Sequence, residues 1–242
     1  MKRSTNDTGL RGVRIAVTGG TSGLGLALVR EWHQRGASVA FVARDAENVA
    51  RVAAAHDGAV GITGDISKKD WIHPIALQIL GGLGALDVLV NNASSLGPVP
   101  LAPLSDTECE DLEAALAANV LGPFRLTKAL LGALRASAAE RRGGIVMNIS
   151  SDAAVTPYPG WGAYGASKAA LRHLSAIWDL ELDGAGVRIL SRDPGDMDTP
   201  LHKLAVPDAD PSTLLKPEAA AVDITRAIMD AMPHRVPSSE TA

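Results

Sequence analysis

Tyr164 and Lys168 stand four residues apart in the stretch AYGASKAALRHL (163–174), with small residues between them. On a helix that spacing puts both side chains on one face. A phenol has a reference pKa near ~10, poorly matched to proton transfer at neutral pH. An ammonium beside it favours the phenolate and moves the group toward the working range. Taken alone the pair is ambiguous, because a tyrosine and a lysine on one helical turn are also ordinary amphipathic surface. Ser151 ends the apolar stretch GGIVMNISS (143–151), 13 positions before Tyr164, and adds a hydroxyl at the same end of the sheet.

A second group of residues has the chemistry to hold a phosphate. TGGTSGLG (18–25) places Gly19, Gly23 and Gly25 with Thr21, Ser22 and Leu24 between an apolar strand, VRIAVTG (13–19), and a helical run, GLGLALVREWHQRG (23–36). Glycines there let the chain turn tightly and approach a pyrophosphate, and the helix then aims its first N–H groups at it. The adenosine ribose should meet the tip of the next strand, SVAFVAR (38–44), where the sequence offers Arg44. A carboxylate there would bind a 2′-hydroxyl, whereas a guanidinium suits a 2′-phosphate. The expected cofactor is therefore NADP(H). NAD(H) stays open because Asp45 could turn inward, although it also fits as the N-cap of the next helix.

These residues need a scaffold, and the chain supplies one by alternation. Further strands are expected at 58–65, 86–93, 143–151 and 186–193, interleaved with helical patterns. One helical region runs from about 106 to 138, Pro74 interrupts or starts another, and Pro217 opens the last. Alternating strands and helices without a break in composition predict one domain, a Rossmann-type doubly wound parallel α/β sheet of six strands. It should span residues 12–242 behind a flexible polar arm over 1–11.

Composition removes several function classes. The 242 residues carry 23 basic and 27 acidic side chains, a net charge of −4 with no basic stripe, which disfavours nucleic acid and anionic membrane as partners. No apolar run reaches the length of a membrane span, and the start lacks the apolar core of a signal peptide. The one cysteine, Cys109, suits a reducing, cytoplasmic setting, and the acidic residues around it argue against a nucleophilic thiolate. The six histidines are scattered, so no metal site is expected.

Taken together, the motifs resemble the short-chain dehydrogenase/reductase family rather than its longer, extended branch. The likeness rests on TGGTSGLG, NNA at 91–93, Asn119 in AANVLGPF, Ser151, YGASK at 164–168 and PGDMDT at 194–199, in order across roughly residues 13 to 200. The resemblance implies that Tyr164 is the acid in reduction and the base in oxidation. Lys168 would bind the nicotinamide ribose and lower the tyrosine pKa, Ser151 would hold the substrate carbonyl, and Asn119 would hold a water that feeds protons to the lysine. It further implies Asp65 and Ile66 at the adenine and Asn91 and Ala93 along the cofactor cleft. Thr199 would reach the carboxamide, with Pro194, Gly195 and Met197 in the same loop. The expected reaction is reduction of a ketone or aldehyde, or oxidation of a secondary alcohol.

The substrate pocket is expected to draw on Ser94, Leu96, Val155, Tyr158 and Trp161, with a mobile lid over 201–215 in a wider substrate loop at 196–216. Ser150 should face away from Ser151, and His202 fits a solvated loop. Two residues depart from the family pattern, Ser94 where glycine is commoner and Asp193 where asparagine is commoner. The C-terminal PHRVPSSETA lacks the usual final strand, so a seventh strand should be weak or absent. Homodimers or homotetramers are expected through the helices after the fourth and fifth strands, which carry enough apolar surface for a core and a partner.

Overall fold

The computed structural model describes residues 9–233. Residues 1–8 and the C-terminal 234–242 lie outside the described residues, and with them most of the segment expected to lack a final strand. Among the described residues six parallel strands form one sheet: β1 (Arg14–Thr18), β2 (Ser38–Ala43), β3 (Val60–Thr63), β4 (Val88–Asn91), β5 (Ile145–Ile149) and β6 (Arg188–Arg192). Their order across the sheet is β3-β2-β1-β4-β5-β6. The order reverses direction between β1 and β4, so the carboxyl ends of these two strands flank the crevice where open α/β sheets bind ligands.

The described residues hold eight α-helices, most of them packed on the sheet: α1 (Gly23–Gln34), α2 (Ala46–Ala54), α3 (Lys69–Leu83), α4 (Cys109–Leu116), α5 (Gly122–Ala139), α6 (Gly162–Leu182), α7 (Pro200–Ala205) and α8 (Pro217–Ala231). Strand side chains alternate between faces. Ile15 and Val17 join the core under α1, α2 and α8, while Ala16 between them joins the core under α3 and α5. Trp32 of α1 is fully buried and donates from Nε1 to the Thr225 hydroxyl of α8 at 2.9 Å, which fixes the outer pair of helices together.

Four details refine the sequence expectations. The polar arm does not extend to residue 11, because Leu10 is buried in the core and its N–H bonds the Arg35 carbonyl. Pro74 neither starts nor interrupts α3; it sits inside it on the exposed side. The helix expected over 106–138 is broken by a wider π turn at Ala117–Leu121, followed directly by α5. Inserting one residue into the helical ladder re-aims side chains locally, and such turns recur at functional sites. Asn119 lies within this turn and is buried. Pro217 opens α8 as expected.

Candidate active site

The glycine turn leaves β1 at the crevice and is held in shape from β4. Thr18 Oγ1 accepts the backbone N–H groups of both Asn92 and Ala93 at 3.0 Å. Asn92 Nδ2 returns a bond to the Thr18 carbonyl at 2.8 Å. Gly19 adopts φ +73°, and a Cβ there would come within 2.9 Å of Asn92 Nδ2. Gly25 is closer still to obstruction, since a Cβ would run into the Gly19 carbonyl. Gly20 is required by packing, because a Cβ there would overlap Phe41 of β2. The loop after β6 arrives at the same place, with Thr199 Cγ2 3.2 Å from where a Gly23 Cβ would stand.

The first turn of α1 contains no acidic side chain, and Ser22 makes no side-chain cap bond, so the turn's amides are available to an anion. Thr21 and Ser22 reach the surface; the Leu24 side chain packs into the core and leaves only its main chain for a ligand. The cradle therefore fits a dinucleotide pyrophosphate. At the ribose end, Arg44 is exposed and makes no ion pair among the described residues. Asp45 caps α2, accepting the Asn48 N–H at 2.7 Å, as the cap pattern predicted.

Asp65 follows β3 and closes a turn by accepting the Ser67 amide and hydroxyl on one oxygen at 2.9 and 2.7 Å. Ile66 is buried against the backbone at Gly122. Asn91 corrects the sequence reading. Its side chain turns into the interior and donates to Asn148 Oδ1 at 2.7 Å and to Thr127 Oγ1 at 3.2 Å, so it does not line the cleft. Asn92, which the sequence reading passed over, is the residue that wires β4 to the glycine turn. A second asparagine in NNA was the only available signal.

Tyr164 and Lys168 lie on the buried face of α6, at 7% and 2% exposure. The Lys168 ammonium donates to the Ile149 carbonyl at 2.7 Å and lies 5.5 Å from the centre of the Tyr164 ring. Burial pushes Lys168 down to about 8, opposed by Asp193. Burial also pushes Tyr164 up to about 12, with Asp193 and Asp152 acting in the same direction and the Ser151 and Ser94 hydroxyls against it. The resemblance implied a lowered tyrosine. In this structure the ammonium is turned to a carbonyl beneath the ring, and burial of the phenol outweighs every favourable contact.

The serines beside Tyr164 have their protons committed elsewhere. Ser94 Oγ donates to Asn119 Oδ1 at 3.1 Å, and Ser151 Oγ donates to Asp152 Oδ1 at 3.0 Å. The Asn119 amide oxygen and the Asp152 carboxylate can only accept, so in these two bonds the serine hydroxyls are the donors. Asn119 has no capacity left for a water on its side chain. Its Oδ1 also accepts the Ser95 N–H at 2.8 Å, and its Nδ2 donates to the Ser95 carbonyl at 2.7 Å and to Ser167 Oγ at 2.8 Å. It ties the segment after β4 to α6, and any water it holds must lie on its main chain. Ser150 is buried, whereas Ser151 is half-exposed in the crevice, as the strand alternation predicted.

The pocket wall around Tyr164 combines buried Leu96 and Ala153 with Leu101, Trp161, Leu201 and Ala205. The Trp161 ring meets Tyr164 edge-on at 5.7 Å, and Tyr158 lies 6.3 Å beyond Trp161. Val155 and Tyr158 are exposed at the rim. Leu201 and Ala205 belong to α7, so the expected lid is a short helix packed over the site rather than an irregular loop. It is anchored by Thr199, whose hydroxyl accepts the His202 N–H at 3.2 Å. A backbone bridge between Met197 and Leu215 and the Lys216–Asp198 pair at 3.1 Å close its base. His202 therefore sits in a helix, not a loop. Pro194 is half-buried, and Gly195 at φ +78° turns this segment, its N–H bonded to Asp193 at 2.9 Å.

Comparison with known proteins shows the family and the fold. The family model described as short chain dehydrogenase matches residues 14–210. A short chain dehydrogenase of Pseudocercospora fijiensis is 37% identical over 82% of this chain, which spans 63% of that relative's length. The crystal structure of a 3-ketoacyl-(acyl-carrier-protein) reductase from Brucella melitensis complexed with NADH superposes with a TM-score of 0.84 at 28% identity, covering 90% of this chain and 91% of that one. A short chain dehydrogenase from Shigella flexneri complexed with NADP superposes with a TM-score of 0.83 at 25% identity, covering 92% and 93%.

Proposed function

This chain belongs to the short chain dehydrogenase family of oxidoreductases, and we propose that it moves a hydride between NADP(H) and a carbonyl or secondary-alcohol carbon. Tyr164 is the acid of reduction and the base of oxidation. The single observation behind this reading is the buried Tyr164–Lys168 pair beside Ser151, at the same crevice as a glycine cradle. The nicotinamide, when bound, supplies the hydride. The protein's work is to orient and to move a proton. Gly19, Gly23 and Gly25 admit the pyrophosphate, Arg44 takes the 2′-phosphate, and Lys168 turns from Ile149 to the ribose. At neutral pH Tyr164 holds its proton and can deliver it to a developing alkoxide.

Preference for NADP(H) rests on Arg44 being exposed and unpaired while Asp45 is engaged by the Asn48 amide. The test is a fluorescence titration with NADPH and NADH, repeated with Arg44→Ala. Charge-assisted bonds to phosphate contribute ~1.5–3 kcal/mol, so NADPH should weaken by about tenfold or more with NADH unchanged. Equal or tighter binding of NADH by the unaltered protein refutes the assignment and makes this an NAD-linked alcohol dehydrogenase. Tyr164→Phe should abolish cofactor oxidation in the presence of a carbonyl while keeping NADPH affinity; retained turnover refutes the acid–base role. Cofactor binding without turnover across a broad carbonyl panel would indicate a silent binding protein.

A homo-oligomer in the cytoplasm belongs to the same proposal. Leu121, in the π turn that leads into α5, and Ile177 and Leu180 of α6 are exposed, and Phe124 of α5 stacks on Trp178 of α6 at 5.0 Å. Light scattering of the purified protein decides it. No helix among the described residues is long and apolar enough to cross a membrane.

A further inference from the structure

Asp152 is the acid that the family pattern leaves without a task. It follows Ser151 directly, its side chain lies in the crevice, and it accepts three bonds from residues of the site. Oδ1 takes the Ser151 hydroxyl at 3.0 Å and the Ala153 N–H at 2.7 Å, and Oδ2 takes the Tyr158 hydroxyl at 2.7 Å. A carboxylate has room for about four such bonds, so one position on Oδ2 remains. Through Tyr158, Trp161 and Tyr164 the rings form a wall from the rim to the proton donor.

This arrangement opposes the reduction of a plain ketone in three ways. A ketone oxygen needs the Ser151 proton, which Asp152 already holds in a charge-assisted bond. The charge of Asp152 acts with that of Asp193 to keep Tyr164 from giving up its proton. A negative charge beside the reacting oxygen also disfavours the developing alkoxide. All three costs fall if the substrate brings its own donor to the carboxylate.

We propose that Asp152 is a specificity residue that binds a hydrogen-bond donor, a hydroxyl or an ammonium, carried by the carbon next to the reacting carbonyl. The incoming donor replaces Ser151 on Oδ1 or takes the remaining position on Oδ2. Ser151 Oγ–H then turns to the carbonyl oxygen, joining Tyr164. The substrate class is therefore an α-hydroxy or α-amino carbonyl, or the corresponding vicinal diol or amino alcohol in the oxidative direction. The assignment rests on the oxidoreductase reading above and refines its substrate.

Two matched pairs of ketones test it, differing only in whether a hydroxyl or a methyl group occupies the neighbouring carbon. They are hydroxyacetone with 2-butanone and 2-hydroxyacetophenone with propiophenone. NADPH oxidation is followed with the unaltered protein and with Asp152→Asn, which keeps the size and one acceptor. The unaltered protein should prefer the hydroxy ketone of a pair by about tenfold in kcat/KM, the scale of one charge-assisted bond. In Asp152→Asn the hydroxy ketone should lose most of that advantage while the plain ketone improves severalfold, so the two move in opposite directions. A purely structural role for Asp152 would lower both together, and that result overturns the proposal. So does equal use of both ketones by the unaltered protein, or turnover of other carbonyls with none of these four.

NADPH affinity of the variant serves as the check on folding, and Tyr158→Phe as the second variant. It frees Oδ2 without removing the charge and should leave the preference for the hydroxy ketone intact; loss of the preference in Tyr158→Phe overturns the assignment to Asp152. Failure of the oxidoreductase reading looks different, since no carbonyl of any kind would then be reduced. The hydrogen-bond chain can be read even in that event, because the protein has only two tyrosines. Asp152 raises the Tyr158 phenol, and an ultraviolet titration in which Tyr158 ionises identically with and without Asp152→Asn removes the structural basis of the proposal.

Discussion

Replacing the buried Lys168 should stabilise the protein while ending the activity proposed for it, and the gain should fade with rising pH. Lys168 is 2% exposed and its ammonium has a single hydrogen-bond partner among the described residues, the Ile149 carbonyl. Burial lowers it from 10.5 to about 8, which at ~1.4 kcal/mol per decade amounts to ~3 kcal/mol held against folding while both states carry the proton. The sign is that of a base with a depressed folded-state value. The cost is complete below about 8, shrinks as pH rises from there, and is gone above 10.5. By about pH 9.5 only ~1 kcal/mol remains.

Lys168→Met keeps the length of the side chain and removes the charge. It also leaves the Ile149 carbonyl unpaired, which costs ~1 kcal/mol. The net expectation is a gain of ~2 kcal/mol near pH 7 and none near pH 9.5. In urea, with a slope of about 3 kcal/mol per molar, the midpoint should rise by roughly 0.7 M at the lower pH and stay level at the higher. Tyr164 titrates in neither protein enough to blur the comparison, because it is raised to about 12 and its unfolded-state ionisation is common to both. A midpoint gap that is the same at the two pH values, or a variant less stable near pH 7, refutes the claim that Lys168 is held charged at a cost.

Two further outcomes test the scaffold. Asp87 is fully buried at the opposite edge of the sheet and accepts Arg14 Nη2 at 2.6 Å, Arg14 Nε at 2.9 Å and Ser137 Oγ at 2.6 Å. Asp87→Asn should lower stability by ~3 kcal/mol in urea unfolding, the scale for breaking a buried pair, and leave NADPH affinity unchanged. These partners hold the Asp87 carboxyl below its usual 3.8, so its contribution is complete above that value and is lost as pH falls through the folded-state value. Gly25→Ala should abolish NADPH binding in the fluorescence titration, since the new methyl group meets the Gly19 carbonyl.

The sheet is legible in the sequence because its strands are buried on both faces and therefore appear as short apolar runs punctuated by glycine. VRIAVTG and GGIVMNISS need no tertiary information to be placed. The break at Ala117–Leu121 was not legible. AALAANVLGPF has uniform helical character, and a π turn depends on the side chain of Asn119 finding Ser95 and Ser167, both distant along the chain or across the fold. The same limit explains Asn91 and Asn92. Adjacent residues of one type point to opposite sides of a strand end, and only the register against β1 decides which asparagine reaches the glycine turn. Leu10 was hidden for another reason, since one apolar residue in a polar segment carries no period.

What the sequence could not convey about the site was the direction of its hydrogen bonds. Residue types locate a tyrosine, a lysine and a serine, but acidity depends on who donates to whom. Here two of the three partners, Asp152 and Ile149, lie just outside the motifs. Asn119 Oδ1 takes the Ser94 proton and Asp152 takes that of Ser151, while Ile149 takes the ammonium. Burial outweighs these contacts and raises the phenol to about 12, with the Ser151 and Ser94 hydroxyls acting against it, so Tyr164 carries its proton at rest. Oxidation of an alcohol needs the phenolate. Its rate at saturating substrate should therefore keep rising with pH over the range in which reduction is level or falling, unless the bound oxidised nicotinamide brings the phenol down by four decades or more. A pH profile of both directions on one substrate measures that shift directly, and an oxidation rate already level at pH 7 would show that the cofactor's charge overrides the wiring of the protein.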